Sequence, residues 1–156
     1  MATDWLDDDE QRAWRAFLLT SQLLDQALDR QLQRDAGMPH AYYAVLVALS
    51  EAPERSLRMS ELARRLRYSQ SRLTHAVSSM ERSGWVQRTV CPTDRRGQVA
   101  ALTDDGFEAL VAAAPGHVGE VRARVFDRLS PTQVRQLRRI CETLADGLDP
   151  EQEEPS

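Results

Sequence analysis

The chain has 156 residues, 42% of them hydrophobic, and a net charge of −4, which suits one domain with a real core or a small domain plus helices that pack on a partner. No run approaches the roughly 20 apolar residues of a membrane span, the Asp-rich start is no signal sequence, Cys91 and Cys141 are too few for a disulfide framework, and three scattered His without Cys-x-x-Cys spacing speak against a metal site. Ten of the twenty Arg lie between Arg55 and Arg96 beside only three acids (Glu61, Glu81, Asp94), a local +7 that leaves −11 for the rest and points to a polyanionic partner, nucleic acid first.

From about Trp5 to Arg34, Trp14, Phe17, Leu18, Leu24, Leu28 and Leu32 recur at helical spacing, and Gly37 and Pro39 close the segment. This predicts a long amphipathic helix. A second, shorter helix follows from Ala41 to Ala52, ended by Pro53. Met59-Ser60-Glu61-Leu62-Ala63 predicts a helix of about two turns with Ser60 as its N-cap. After Arg67-Tyr68-Ser69, Ser69 caps the next helix, which runs to Gly84.

That helix has an inner face of Leu73, Ala76, Val77 and Met80. At about 100° per residue, Ser71, His75, Ser78 and Arg82 fall on the opposite face, flanked by Arg72 and Thr74. Trp85 to Cys91 alternates like a strand, 92–97 is a polar turn, and Gln98 to Leu102 is the returning strand. Thr103 caps a further helix whose pattern Pro115-Gly116 interrupts, giving a kinked helix or two abutting ones. Ser130-Pro131-Thr132-Gln133 opens the last helix, with Val134, Leu137, Ile140, Cys141 and Leu144. An acidic tail, 150–156, ends the chain.

Two short helices joined by a tight turn, the second apolar inside and rich in Ser, Arg, Thr and His outside, are what lays a helix in the major groove of DNA. The hairpin beside them makes this a winged helix, its tip arginines Arg95 and Arg96 placed to reach an adjacent minor groove. The fold class is therefore mainly α with a small β-hairpin: an N-terminal dimerisation helix (1–38), a winged helix-turn-helix lobe (39–106) and C-terminal dimerisation helices (107–149) ahead of the tail. The terminal helices carry more apolar residues than the lobe could cover, among them Trp5, Leu6, Leu129, Leu137, Ile140 and Leu144, so a homodimer is expected.

The chain resembles the MarR family of bacterial transcription regulators from about Trp14 to Leu148. The resemblance rests on Met59 to Ala63, Ser69 to Thr74, Met80 to Arg88, and Asp94-Arg95-Arg96 followed by Leu102-Thr103-Asp104-Asp105-Gly106, the last group being the specific one. It implies a homodimer on a palindromic double-stranded operator, regulated by a small-molecule effector. Ser69, Gln70, Ser71, Arg72, Thr74, His75 and Ser78 match the recognition-helix region, Arg95 and Arg96 match the wing, and Asp94 holds the wing's shape. Trp14, His40, Tyr42 and Tyr43 match the candidate ligand pocket, although aromatic residues at helical spacing also fit core and dimer packing. The second helix opens with Met38-Pro39-His40, where the family often has a Thr cap, and Pro115 is expected to break the helix leading to the dimer region.

Three functions follow for comparison. The leading one is a sequence-specific repressor of its own or a neighbouring promoter, released by a small, phenolic or aromatic ligand. A second is a winged-helix module for protein contact, or a regulator that senses oxidants through cysteine; Cys91, with nothing nearby in sequence to lower its pKa, is expected to be a structural thiol. For an enzyme there is no nucleophile-base pair, metal spacing or phosphate loop, and no cofactor is expected.

Overall fold

The computed structural model describes residues 3–148; the predicted acidic tail, 150–156, lies outside them. The chain divides into two compact units between Val118 and Gly119.

In the first unit, α1 (Asp8–Ala36) starts later than the apolar spacing predicts. A capping box sets its first residue: Asp7 Oδ1 accepts the amides of Asp9 and Glu10, both at 2.8 Å, and Glu10 Oε2 accepts the Asp7 amide at 2.9 Å. Trp5 and Leu6 therefore precede the helix. Gly37, at φ 64°, ends it in the left-handed conformation that glycine adopts without steric cost. Only the last third of α1 is buried, at Leu28, Gln31 and Leu32.

Next, α2 (His40–Ser50) has no side-chain cap from Pro39. Its cap comes from α1 instead, where Asp29 Oδ1 accepts the His40 amide at 2.9 Å. This replaces the missing Thr. A short strand, β1 (Ser56–Arg58), then leads directly into α3 (Met59–Leu66). Arg58, not Ser60, occupies the N-cap position and makes no side-chain cap bond. Pairing of Arg58 with Val99 of the hairpin holds it extended, so the helix begins at Met59 and Ser60 falls inside the first turn.

Arg67, at φ 53°, makes the tight turn into α4 (Gln70–Arg82), whose N-cap Ser69 accepts the Arg72 amide at 3.2 Å. Leu73, Ala76, Val77 and Met80 are buried as their spacing predicts, against a core that includes Leu32, Leu46, Leu49 and Leu62. The hairpin follows as β2 (Val86–Cys91) and β3 (Asp94–Leu102). Its turn is only Pro92-Thr93, because β3 begins at Asp94 rather than Gln98. The sheet is antiparallel in the order β1-β3-β2, with Leu57 opposite Ala100 and Val86 opposite Leu102.

Thr103 joins the hairpin to α5 (Asp104–Arg124) through two bonds, accepting the Gly106 amide at 3.0 Å and donating to the Gly84 carbonyl at 2.6 Å. Gly106 is buried, and a Cβ there would collide with the carbonyl oxygen of Trp85. This close approach explains the Leu-Thr-x-x-Gly motif: Thr caps the helix, and Gly lets it close on the start of the wing. Of the two alternatives expected at Pro115-Gly116, a continuous helix is the one found, and Pro115 does not break it. It removes one backbone donor, and α5 continues through it.

The second unit holds the end of α5 from Gly119, a 3-10 turn at Phe126–Arg128 and α6 (Pro131–Leu148). Ser130 and Gln133 cap α6 reciprocally: Ser130 Oγ accepts the Gln133 amide at 3.2 Å, and Gln133 Oε1 accepts the Ser130 amide at 2.8 Å. Leu137, Ile140, Leu144 and Leu148 are all exposed along this helix. No helix among the described residues is long and apolar enough to cross a membrane.

Candidate nucleic-acid interface

The polar face of α4 and the wing border a single cleft of about 330 Å3. Arg58, Met59 and Ser60 bring the start of α3 to it, Gln70 and Thr74 the first turns of α4, and Asp94, Arg96, Gly97 and Gln98 the wing. Sequence reasoning missed Arg58, Ser60 and Gln98. Only the pairing of β1 with β3 carries Arg58 to the hairpin, where its Nη2 donates to Thr93 Oγ1 at 2.7 Å.

Ser69, Gln70, Ser71, Arg72, Thr74 and His75 are all exposed at the start of α4. The Arg72 guanidinium lies 4.0 Å from the centroid of the Tyr68 ring, a cation–π contact across the turn. Ser78 stands apart from this group. It is half-buried, and its Oγ accepts a bond from Arg88 Nη2 at 3.1 Å. Arg95 and Arg96 are exposed at the wing tip, and Asp94 Oδ1 accepts the Arg96 amide at 3.0 Å, fixing the backbone between them.

The structure also sorts the basic block by role. Acids hold several of its arginines: Arg64 and Arg65 each meet Glu61 at 2.9 Å, Arg88 meets Glu81 at 2.6 Å, and Arg55 meets Asp104 at 3.5 Å. The two Arg64 and Arg65 guanidiniums hold the Glu61 carboxyl down at about 2. Hydrogen bonds from Arg88 likewise hold the Glu81 carboxyl below its usual range. Arg58, Arg72, Arg82, Arg95 and Arg96 have no acidic partner among the described residues. These cations are available to an external polyanion.

Cys91 is buried near the wing turn. Hydrogen bonds from the Thr93 hydroxyl and amide lower its thiol pKa, aided by the Asp94 amide and the Arg58 charge. The expectation that nothing nearby would lower it is therefore corrected, the nearest cause being two residues along the chain.

A second cavity, of about 410 Å3, lies between α2 and α5 and is lined by His40, Tyr43, Val47, Leu66 and His117 among others. Of the four candidate pocket residues, His40 and Tyr43 meet here. Tyr42 packs against the core, and Trp14 stacks on Phe17 at 6.2 Å on the exposed part of α1. His117, which sequence reasoning did not single out, lies 4.3 Å from the Tyr43 ring. Burial, with the neighbouring His40, pushes its pKa down.

Residues 36–97 match the family model described as MarR family. Over 71 residues the chain is 33% identical to the HTH-type transcriptional regulator PrsX of Escherichia coli, covering 46% of this chain and 43% of that protein. The transcriptional repressor MprA of the same species is 28% identical over 113 residues, 72% of this chain and 64% of MprA. The chain thus aligns with less than two thirds of either protein's length. Among solved structures, Sco3205 of Streptomyces coelicolor, a MarR family transcriptional regulator in complex with DNA, is 51% identical with a TM-score of 0.93 over 99% of this chain and 97% of that one. With identity and fold shared over nearly its whole length, the chain belongs to the MarR family of transcriptional regulators.

Proposed function

We propose that the chain is a homodimeric, sequence-specific DNA-binding repressor that acts in the cytoplasm on a palindromic operator at its own or a neighbouring promoter and is released by a small ligand. One observation carries the DNA reading: the exposed N-terminal face of α4 and the wing tip share a cleft whose arginines Arg58 and Arg96 have no acidic partner among the described residues. A guanidinium can read guanine through two hydrogen bonds, while Ser, Thr and Gln side chains bond phosphates or base edges. The DNA complex of the 51% identical Sco3205 supports this reading, and the name of MprA supports repression.

The homodimer is supported by apolar surface that each unit leaves open. Trp14, Phe17, Leu18, Leu19 and Leu23 of α1 are about half exposed, and Ile140 of α6 is 58% exposed. Apolar stripes of this length mark interfaces. Release by a phenolic or aromatic ligand is supported by the α2–α5 cavity, whose wall combines Tyr43, Val47 and Leu66 with two imidazoles. A ligand there shifts the dimer off DNA only by its differential affinity for the two states. The test is an anisotropy titration with promoter DNA beside the protein's own gene. Preferential binding supports the repressor, and no preference for any such DNA leaves the protein-contact reading.

A further inference from the structure

Arg88 of β2 is tied to α4 by both its main chain and its side chain. Its amide donates to Glu81 Oε1 at 3.0 Å, its Nε to Glu81 Oε2 at 2.8 Å and its Nη2 to Ser78 Oγ at 3.1 Å. Nη2 also lies 2.6 Å from Glu81 Oε2, in a pair whose side chains are 22% and 29% exposed. Charge-assisted bonds of this kind are the strong ones. β2 is an edge of the sheet, where main-chain amides have no next strand to meet, and Glu81 takes this one. The hairpin and α4 are joined at one other point, where the Trp85 amide donates to the Met80 carbonyl at 3.0 Å. One attachment alone is a pivot; a second, three residues further out, fixes the angle. Pro92, at the turn, lies four residues beyond Arg88, about 13 Å along a strand. A tilt of about 10° at Arg88 would carry the tip about 2 Å, more than the whole spread of hydrogen-bond lengths.

We propose that the cluster of Arg88, Glu81 and Ser78 sets the angle between the wing and α4, which makes Arg88 and Glu81 positioning residues for operator binding. This role rests on the DNA-binding reading, in which α4 and the wing tip engage the duplex together. Two linked contacts reinforce each other only when their geometry lets both engage at once. Arg88 is not itself a duplex contact, because Glu81 matches its charge and its guanidinium bonds to Glu81 and Ser78. Ser78 likewise receives Arg88 rather than a base. The exposed cations at the tip, Arg95 and Arg96, are the groups whose placement the cluster controls.

The test compares the full-length chain with its Glu81→Gln and Ser78→Ala variants, by anisotropy on the promoter DNA beside the protein's own gene and on a scrambled duplex, and by hydrogen exchange of residues 86–102 without DNA. Removing an acid beside a polyanion would by charge alone tighten every complex. Glu81→Gln is instead expected to weaken binding to the promoter duplex by about tenfold and to leave the scrambled duplex bound as tightly or more so. Ser78→Ala, which removes one bond and no charge, should weaken promoter binding by about threefold, and it decides alone if Glu81→Gln loses the native fold. Replacing Arg95 and Arg96 with Ala should cost less affinity in the Glu81→Gln background than in the wild type, since a misplaced wing has less to lose. Hairpin amides should exchange faster in Glu81→Gln while those of α2 keep their protection. A promoter-to-scrambled ratio unchanged from the wild type, an equal loss on both duplexes, or unaltered hairpin exchange, in proteins with native circular dichroism, overturns the positioning role. A wild type with no preference for the promoter duplex removes the DNA-binding reading itself, so the two failures are distinct.

Discussion

The guanidinium of Arg72 rests 4.0 Å above the ring of Tyr68, so the turn before α4 supplies a platform for a cation in that helix's first turn. An exposed Arg carries about 2 kcal/mol of rotamer entropy, and a stacked guanidinium surrenders less of it on binding. Tyr68→Ala should therefore weaken operator binding while sparing non-specific DNA, and Tyr68→Phe, which keeps the ring face, should restore most of the loss. The expected cost is about 0.5–1 kcal/mol, the scale of an exposed cation–π contact. Anisotropy with operator and scrambled duplexes measures it; an equal loss on both would assign Tyr68 no part in specificity.

In the proposed DNA complex the wing tip acts through charge. Arg95 and Arg96 are exposed and have no acidic partner among the described residues, while Asp94 shapes the backbone between them. Replacing both with Ala should lower affinity for all duplexes and reduce the salt slope by about 0.9 for each phosphate left without its cation. The circular dichroism spectrum and oligomeric state should not change. An unaltered slope would remove the wing from the interface.

Leu137 lies on the α6 stripe with Ile140 and Leu144, all exposed within the second unit. Leu137→Asp should lower dimerisation and operator affinity together, because burying an unpaired carboxylate costs several kcal/mol. Light scattering decides it: a variant that remains dimeric would move the interface elsewhere.

Glu61 sets a pH window. Its carboxyl is held at about 2 in the folded chain against an ordinary 4.5, first by hydrogen bonds from Arg64 and then from Arg65. A lowered carboxyl pKa gives stability that is fully present above the ordinary value and is lost as pH falls through the folded one. The melting temperature should therefore decline between about 4.5 and about 2, and Glu61→Gln should decline less over that interval. Parallel curves for the two proteins would assign the loss to other carboxylates.

What the sequence made legible was local. Ser69, Thr103 and Ser130 cap the helices their spacing assigns them, and the inner face of α4 is buried as its period requires. What it hid depends on distant pairing. Ser56-Leu57-Arg58 is too short to announce a strand, yet its pairing with β3 displaces the start of α3 and brings Arg58 to the cleft. The cap of α2 comes from Asp29, eleven residues before His40. The neighbourhood of His40 and His117 escaped for the same reason, since the two rings meet only through the packing of α2 on α5. Ser78 differs from its neighbours on the outer face of α4 in a way its spacing did not show: it is half-buried, and its Oγ accepts a bond from Arg88 of β2.

Sequence-specific recognition by α4 and the wing stands or falls on salt-dependent binding to the promoter DNA beside the protein's own gene. If these elements read a palindromic operator, the dimer should bind that operator about a thousandfold or more tighter than a scrambled duplex at physiological salt, with log affinity falling linearly against log salt. Equal affinity for operator and scrambled duplex at every salt concentration would refute it.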